Sequence, residues 1–316
     1  MVAAAQKMRR GRRLGGPSLA SAETRAAYLF LLPWLAGLVF LLAIPLGWAA
    51  WISLTDEQLL RPGVWTGVDN YARMLSDDLF LTAVGVTLKW IVLSTPVFMI
   101  AGLGLALLLN QKLPGIRAFR TVLYIPAVLS GVAVAVLWVV LLNGDLGAVN
   151  QILRALGWSN PPNWFEDPGW AMPALVLMGL WGVGGGAIIY LAGLQNIPPH
   201  LYEAAEVDGA GPLSKFWNIT LPMVSPTMFF VLINTIVDGL LVFGPIYVIS
   251  SGAQTGGPAN SLLFYMYYLY VKGFRDGELG YASALAWVLT VIGMVLVWLA
   301  FRLERRYVFY EAGGDA

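Results

Sequence analysis

The sequence predicts an all-α integral membrane protein with six transmembrane helices. Three observations carry that prediction. Of the 316 residues, 58% are hydrophobic and 12% are charged, against about 25% charged in an ordinary soluble domain. Six continuous apolar stretches are long enough for the roughly 20 residues that a helix needs to cross a bilayer. Only Lys89 and Asp238 are charged inside them. Continuous runs of this length exclude the short alternating strands of a membrane barrel.

The first stretch, Tyr28–Ile52, is too long for a signal peptide and lacks a small-x-small cleavage site before a soluble domain. It is read as an uncleaved helix. The tail before it, residues 1–27, carries Lys7, Arg9, Arg10, Arg12, Arg13 and Arg25. Its Gly11, Gly15, Gly16 and Pro17 predict a mobile segment, and its basic cluster reads as a topology and lipid-headgroup signal. The second stretch, Ala83–Leu109, holds Lys89 about two turns from its outer end, within snorkelling distance of water. The third is Thr121–Leu142 and the fourth Ala171–Leu194. The fifth and sixth are Met223–Ile249 and Tyr281–Phe301, followed by a C-terminal tail from residue 303 to 316.

Orientation follows from the basic residues flanking these stretches. One side collects 13 Lys and Arg, on both tails and on the loops after spans two and four, and the other collects 5. Both termini are therefore expected in the cytoplasm. Net charge is +1, so no global field favours nucleic acid. The chain has no cysteine and one histidine, His200, which excludes thiolate chemistry and makes a His-rich metal site untenable. No phosphate-cradling GxxxxGK[ST], no HExxH and no GxSxG occurs. The chain offers a pathway without an engine, so energy for pumping has to enter from another subunit.

The loop between spans four and five, residues 195–222, has readable local physics. Pro198 and Pro199 end the fourth span and suit the first turn of a new helix. Gly209 suits a left-handed helix stop, and Pro212 a second short helix. Glu203, Glu206 and Asp208 would otherwise read as a solvated face. Their spacing says more. Glu203-Ala204-Ala205, three residues, Gly209, nine residues and Ile219-Thr220-Leu221-Pro222 match the pattern EAA-x3-G-x9-I-x-LP at every defined position. The chain thereby resembles the permeases of ABC importers, and within them the carbohydrate-uptake group. Gly256-Gly257-Pro258 and Gly280-Tyr281-Ala282-Ser283-Ala284 resemble further segments of that group.

The resemblance implies a type I ABC importer permease fold over residues 28–302, moving a sugar or sugar-like solute inward by alternating access. It implies a second homologous permease, an extracytoplasmic solute-binding protein, and two ATPase subunits that hold ATP and Mg; this chain would carry no cofactor or catalytic residue. It places the molecule in a bacterial or archaeal inner membrane. Glu203, Ala204, Ala205, Asp208 and Gly209 would form the helix that docks in the ATPase.

A solute pathway is sought on spans four and five. Met178, Trp181, Gly182 and Gly185 share one helical face by the i, i+3, i+4, i+7 rule, as do Thr235, Asp238, Gly239 and Val242. Resemblance aligns both sets with the sugar-contacting positions of maltose-type permeases. An Asp near mid-membrane costs about 2.5–3.5 kcal/mol on insertion scales and needs a partner or a wet cavity. Asp238 is read as an acceptor for hydroxyls and Trp181 as a stacking platform; packing roles are the alternatives for both. Outer-side aromatics, Trp164, Phe165, Trp170 and the run Tyr265–Tyr270, suit interfacial anchoring or contact with an external receptor. Rival functions are an importer of the same fold for a non-sugar solute, and a channel or secondary transporter. The latter has no need of the 203–222 pattern, and the halves show no clear inverted repeat.

Overall fold

A computed structural model describes residues 19–111, 113–251 and 255–307. The basic residues Lys7, Arg9, Arg10, Arg12, Arg13 and Lys112 and the tail beyond residue 307 lie outside the described residues. Among the described residues there are no strands, only isolated bridges between Thr55 and Trp65 and between Gln58 and Arg61. The chain divides after Trp51 into two compact units. The first contains most of one apolar helix, Thr24–Ile52, which absorbs Pro33 and relaxes into a wider π turn at Leu38–Ala43.

In the second unit three further helices are long and apolar enough to cross a membrane: Asp78–Leu109, Pro212–Ile249 and Leu279–Glu304. Two spans of the sequence reading are broken. The third consists of Ile116–Val128 and Gly131–Leu141, bent by 96°. Leu129 and Ser130 are extended there, with ψ of 146° and 130°. Pro126 in the preceding turn lacks an N–H, and Gly131 restarts the chain without a favourable helix propensity. The fourth consists of Pro168–Trp181 and Gly184–Gln195, bent by 52° where Gly182 meets the run Gly184–Gly186. In the fifth, helical geometry ends at Leu240 and resumes at Gly244–Ile249.

Two buried clusters organise the packing. The larger joins spans two, four, five and six through Trp90, Met178, Ile236 and Leu285, together with the outer aromatic run Phe264, Tyr265, Tyr267 and Tyr268. The smaller, around Leu103, Ala106, Tyr190, Leu194 and Val224, joins spans two, four and five next to the 195–222 loop. Close approach is set by small residues. A Cβ at Gly184 would run into the carbonyl of Leu123, so only glycine lets the second half of span four sit against span three.

The starts of spans two and six are cross-bonded. Asp77 caps span two, accepting from the N–H groups of Leu79 at 3.0 Å and Phe80 at 3.2 Å. The same carboxylate accepts from the Tyr281 hydroxyl at 2.7 Å and from the Tyr268 hydroxyl. Arg73 pairs with Glu278 at 2.7 Å and lies 4.2 Å over the Tyr281 ring. Burial tends to raise the Asp77 pKa, but its four hydrogen-bond donors outweigh that and hold it below its ordinary value.

Candidate functional site: coupling loop and membrane cavity

Pro199 begins a helix that runs Pro199–Val207. It ends as the sequence predicts. Gly209 has φ of +77°, its N–H donates to Glu206 O at 3.0 Å, and the N–H of Ala210 donates to Ala205 O at 2.8 Å. That pair of bonds is a Schellman stop. The expected second short helix is not separate. Pro212–Lys215 passes through a π turn at Phe216–Thr220 directly into Leu221–Leu240, so the second half of the loop is continuous with span five, and the turn at 208–211 sets it off from the Pro199–Val207 helix.

The loop helix has two faces. Leu201 and Tyr202 pack on the smaller core, and the Tyr202 hydroxyl bonds Thr220 Oγ1 at 2.9 Å. His200, Glu203, Ala204 and Val207 share the opposite, exposed face, with Asp208 and Gly209 exposed beyond it; Ala205, predicted for docking, is half-buried on the packed face between Leu201 and Tyr202. Val207 is 89% exposed, and Leu213 and Trp217 are exposed nearby. These apolar side chains add to the predicted set. Their signal was present in the sequence as hydrophobic residues breaking an otherwise polar loop. Lys215 pairs with Glu206 at 2.6 Å, and this bond lowers the Glu206 pKa.

Within the membrane region, a cavity of about 390 Å³ opens between spans two, four and five. It gathers Gly182 and Gly185 from the break in span four with Thr235 and Asp238 from span five. Sequence reasoning missed Phe98, Tyr190 and Asn234, which also line it. Tyr190 is fully buried, and its hydroxyl has no hydrogen-bond partner among the described residues. Asn234 and Thr235 donate back to the carbonyls of Phe230 and Val231 at 2.7 and 2.8 Å, leaving their oxygens as acceptors. Asp238 is exposed into this space and makes no ion pair among the described residues. Lys89 is exposed and likewise unpaired there.

The other predicted positions lie elsewhere, because both expected helical faces are interrupted. The 52° break after Trp181 separates Met178 and Trp181 from Gly185. Met178 is buried in the larger core, and Trp181 stands edge-on to Trp138 at 6.3 Å. Gly239 is buried against Ile91 and Trp90. Val242 lies past the end of its helix and packs on the larger core.

The chain thus carries a loop helix with one uncovered face and a polar cavity among its spans. Residues 94–309 match the family described as "Binding-protein-dependent transport system inner membrane component". The chain belongs to that family. It is a permease subunit of an ABC importer. It is 34% identical over 287 residues to the trehalose/maltose transport system permease protein MalF of Thermococcus litoralis, covering 90% of this chain and 96% of that one. It is 32% identical over 286 residues to the sn-glycerol-3-phosphate transport system permease protein UgpA of Yersinia pestis, covering 90% and 95%. Among solved structures it resembles a chain of a bacterial ABC transporter that imports the acidic polysaccharide alginate. The TM-score there is 0.78 with 26% identity, over 92% of this chain and 99% of that one. An alginate transporter is also known in complex with its pentasaccharide-bound periplasmic protein. Nothing in these relatives makes the chain an enzyme; it is a binding-protein-dependent component of the inner membrane.

Proposed function

We propose that this permease takes up a sugar or sugar-like solute by alternating access. It would work with a second homologous permease, two ATPase subunits holding ATP and Mg, and an extracytoplasmic binding protein. The substrates for which these relatives are named, trehalose and maltose, glycerol phosphate and alginate, support a polyhydroxylated cargo. The single observation that carries the reading is the cavity around Asp238. Its polar lining is a carboxylate, an amide and two hydroxyls, the group types that exchange hydrogen bonds with sugar hydroxyls. The docking role falls to Glu203, Ala204, Ala205, Asp208 and Gly209, with Val207 supplying apolar contact area. Both termini and the loop face the cytoplasm in this reading, residues 28–302 form the permease domain, and the flanking tails stay outside it.

Asp238→Asn keeps the side chain's shape and removes its charge. A hydrogen bond to a charged group is worth about 1.5–3 kcal/mol, so uptake per assembled complex is expected to fall about 10-fold or more. Solute affinity of the isolated binding protein and basal ATPase activity should be unchanged. Unaltered uptake per complex would remove Asp238 from the pathway. Orientation is tested separately by cysteines at Ser159 and Ser214. An impermeant thiol reagent outside intact cells should reach only position 159.

A further inference from the structure

The connection between spans three and four folds into a small module with its own cavity. Asn150 is fully buried and organises it. Its amide nitrogen donates to the carbonyls of Gly144 at 2.9 Å and Pro162 at 3.0 Å, and its oxygen accepts from the Trp164 indole at 2.7 Å. Arg154 ties the same turn together through the carbonyls of Asp145 and Gly144. Trp164 packs edge-on against Trp170 at 5.4 Å, and Trp158 against Trp170 at 6.2 Å. Pro161, Pro162 and Pro168 stiffen the wall.

These elements enclose an open cavity of about 610 Å³, within the 300–1,000 Å³ typical of small-molecule sites. Trp158 is 44% exposed and lines it together with Trp170. The side chains of Asn160, Asn163 and Glu166 line it, and none is spent on a hydrogen bond or ion pair among the described residues. Asp167 is engaged in capping span four, accepting from Gly169 N–H at 2.8 Å. No lysine or arginine lines the cavity.

We propose that this module is a second saccharide site, separate from the membrane cavity and selective for neutral sugars. An indole face beside free amides and a carboxylate fits a sugar ring, which is apolar on one face and rimmed by hydroxyls. Two carboxylates without a compensating cation repel phosphorylated or uronic sugars. The module is one span removed from the coupling loop and therefore on the opposite side of the membrane. Only that placement on the outer, solute-receiving side rests on the proposed function; the site's chemistry does not.

The test uses the intact transporter with its partner subunits in lipid nanodiscs, without binding protein. Saturation-transfer NMR is recorded with glucose, xylose, maltose and maltotriose as neutral probes and galacturonate as an anionic one. At least one neutral sugar is expected to bind with a millimolar Kd. Trp158→Ala should weaken it about 10-fold, and Glu166→Gln should weaken it less. Galacturonate should bind more weakly in the wild type and gain in Glu166→Gln. Trp158→Phe keeps a ring and should retain most binding, which separates site loss from misfolding. Absence of any Trp158-dependent neutral-sugar signal overturns the proposal. So does a Trp158→Ala variant that binds sugar normally but fails to capture the binding protein, since the module would then be a protein-docking surface. A Trp158-dependent signal in a complex that transports none of these sugars would count against the proposed cargo and leave the site standing.

Discussion

The two ends of this permease are built differently. At the end that the proposed orientation places outside, Asp77, Arg73, Tyr268, Glu278 and Tyr281 bond to one another, joining residues up to 204 positions apart in the chain. At the opposite end, inner in that orientation, the 199–209 helix is held by Leu201 and Tyr202 on one face and by the Glu206–Lys215 pair, while Val207, Leu213 and Trp217 stay uncovered. The first network is satisfied within the chain, while the loop helix keeps one face uncovered. Pro212–Leu240 has no break, so in the proposed coupling a push on the segment after Gly211 would be carried along one helix to the residues beside Asp238.

The largest expected effect lies at the inner end. Gly209 has φ of +77° and open space around a notional Cβ, so a substitution there acts through backbone conformation and not through a clash. A left-handed conformation costs an ordinary residue about 1–2 kcal/mol, and a β-branched one more. Gly209→Val should misdirect the loop helix. Transport and solute-stimulated ATPase activity of the assembled complex are expected to fall 10-fold or more while membrane insertion persists. Wild-type turnover in that variant would show that the inner helix does not transmit force.

At the outer end the expected effect is on stability. Asp77→Ala removes the cap of span two and leaves two tyrosine hydroxyls without their acceptor, a loss of about 2 kcal/mol. The assembled complex should melt a few degrees lower, with ATPase coupling per complex retained. The pH dependence has a definite sign. The folded pKa of Asp77 is depressed, so its contribution is present above the unfolded value and is lost as pH falls through the folded one. The wild-type advantage over Asp77→Asn should therefore hold from pH 8 to 5 and shrink only below about pH 4. An advantage that disappears near neutrality would mean that the carboxylate is not the shared acceptor.

The same contrast explains what the sequence made legible. The inner helix is local: Pro199, Gly209 and the spacing to Pro222 lie within one stretch, and its helix stop could be read residue by residue. The outer network joins Asp77 to Tyr268 and Tyr281, and no periodicity links positions that far apart. The membrane cavity falls between these cases. Gly182, Gly185, Thr235 and Asp238 were found because they carry unusual residue types in apolar spans. Met178 and Val242 were misassigned to the same faces because an unbroken helix was assumed. The glycine run at 184–186 weakens a helix, and the 52° bend that reassigns the faces lies where Gly184 packs against Leu123. Tyr190 and Asn234 gave no signal, since an isolated tyrosine or asparagine in a span is ordinary.

The smallest expected effect separates local holding from coupling at the inner end. Glu206 and Lys215 bridge the loop helix to the start of span five, and Glu206 is fully exposed. Exposed ion pairs add little to folding because water and salt screen them. Glu206→Gln should leave the melting temperature of the assembled complex unchanged within about a degree. Glu206 has a depressed pKa through its bond to Lys215, so the pair persists at neutral pH and opens only on acidification below the ordinary glutamate range. Raising salt from 0.05 to 0.5 M (about 14 to 4 Å in Debye length) should mimic the substitution if the pair steadies the loop. Coupling, read as transport per ATP hydrolysed, should then fall slightly and equally in both experiments. A large coupling loss in Glu206→Gln at unchanged stability would instead move Glu206 from holding the loop to contacting the ATPase. It would then join Glu203 on the docking side, although it lies off the face shared by Glu203 and Val207.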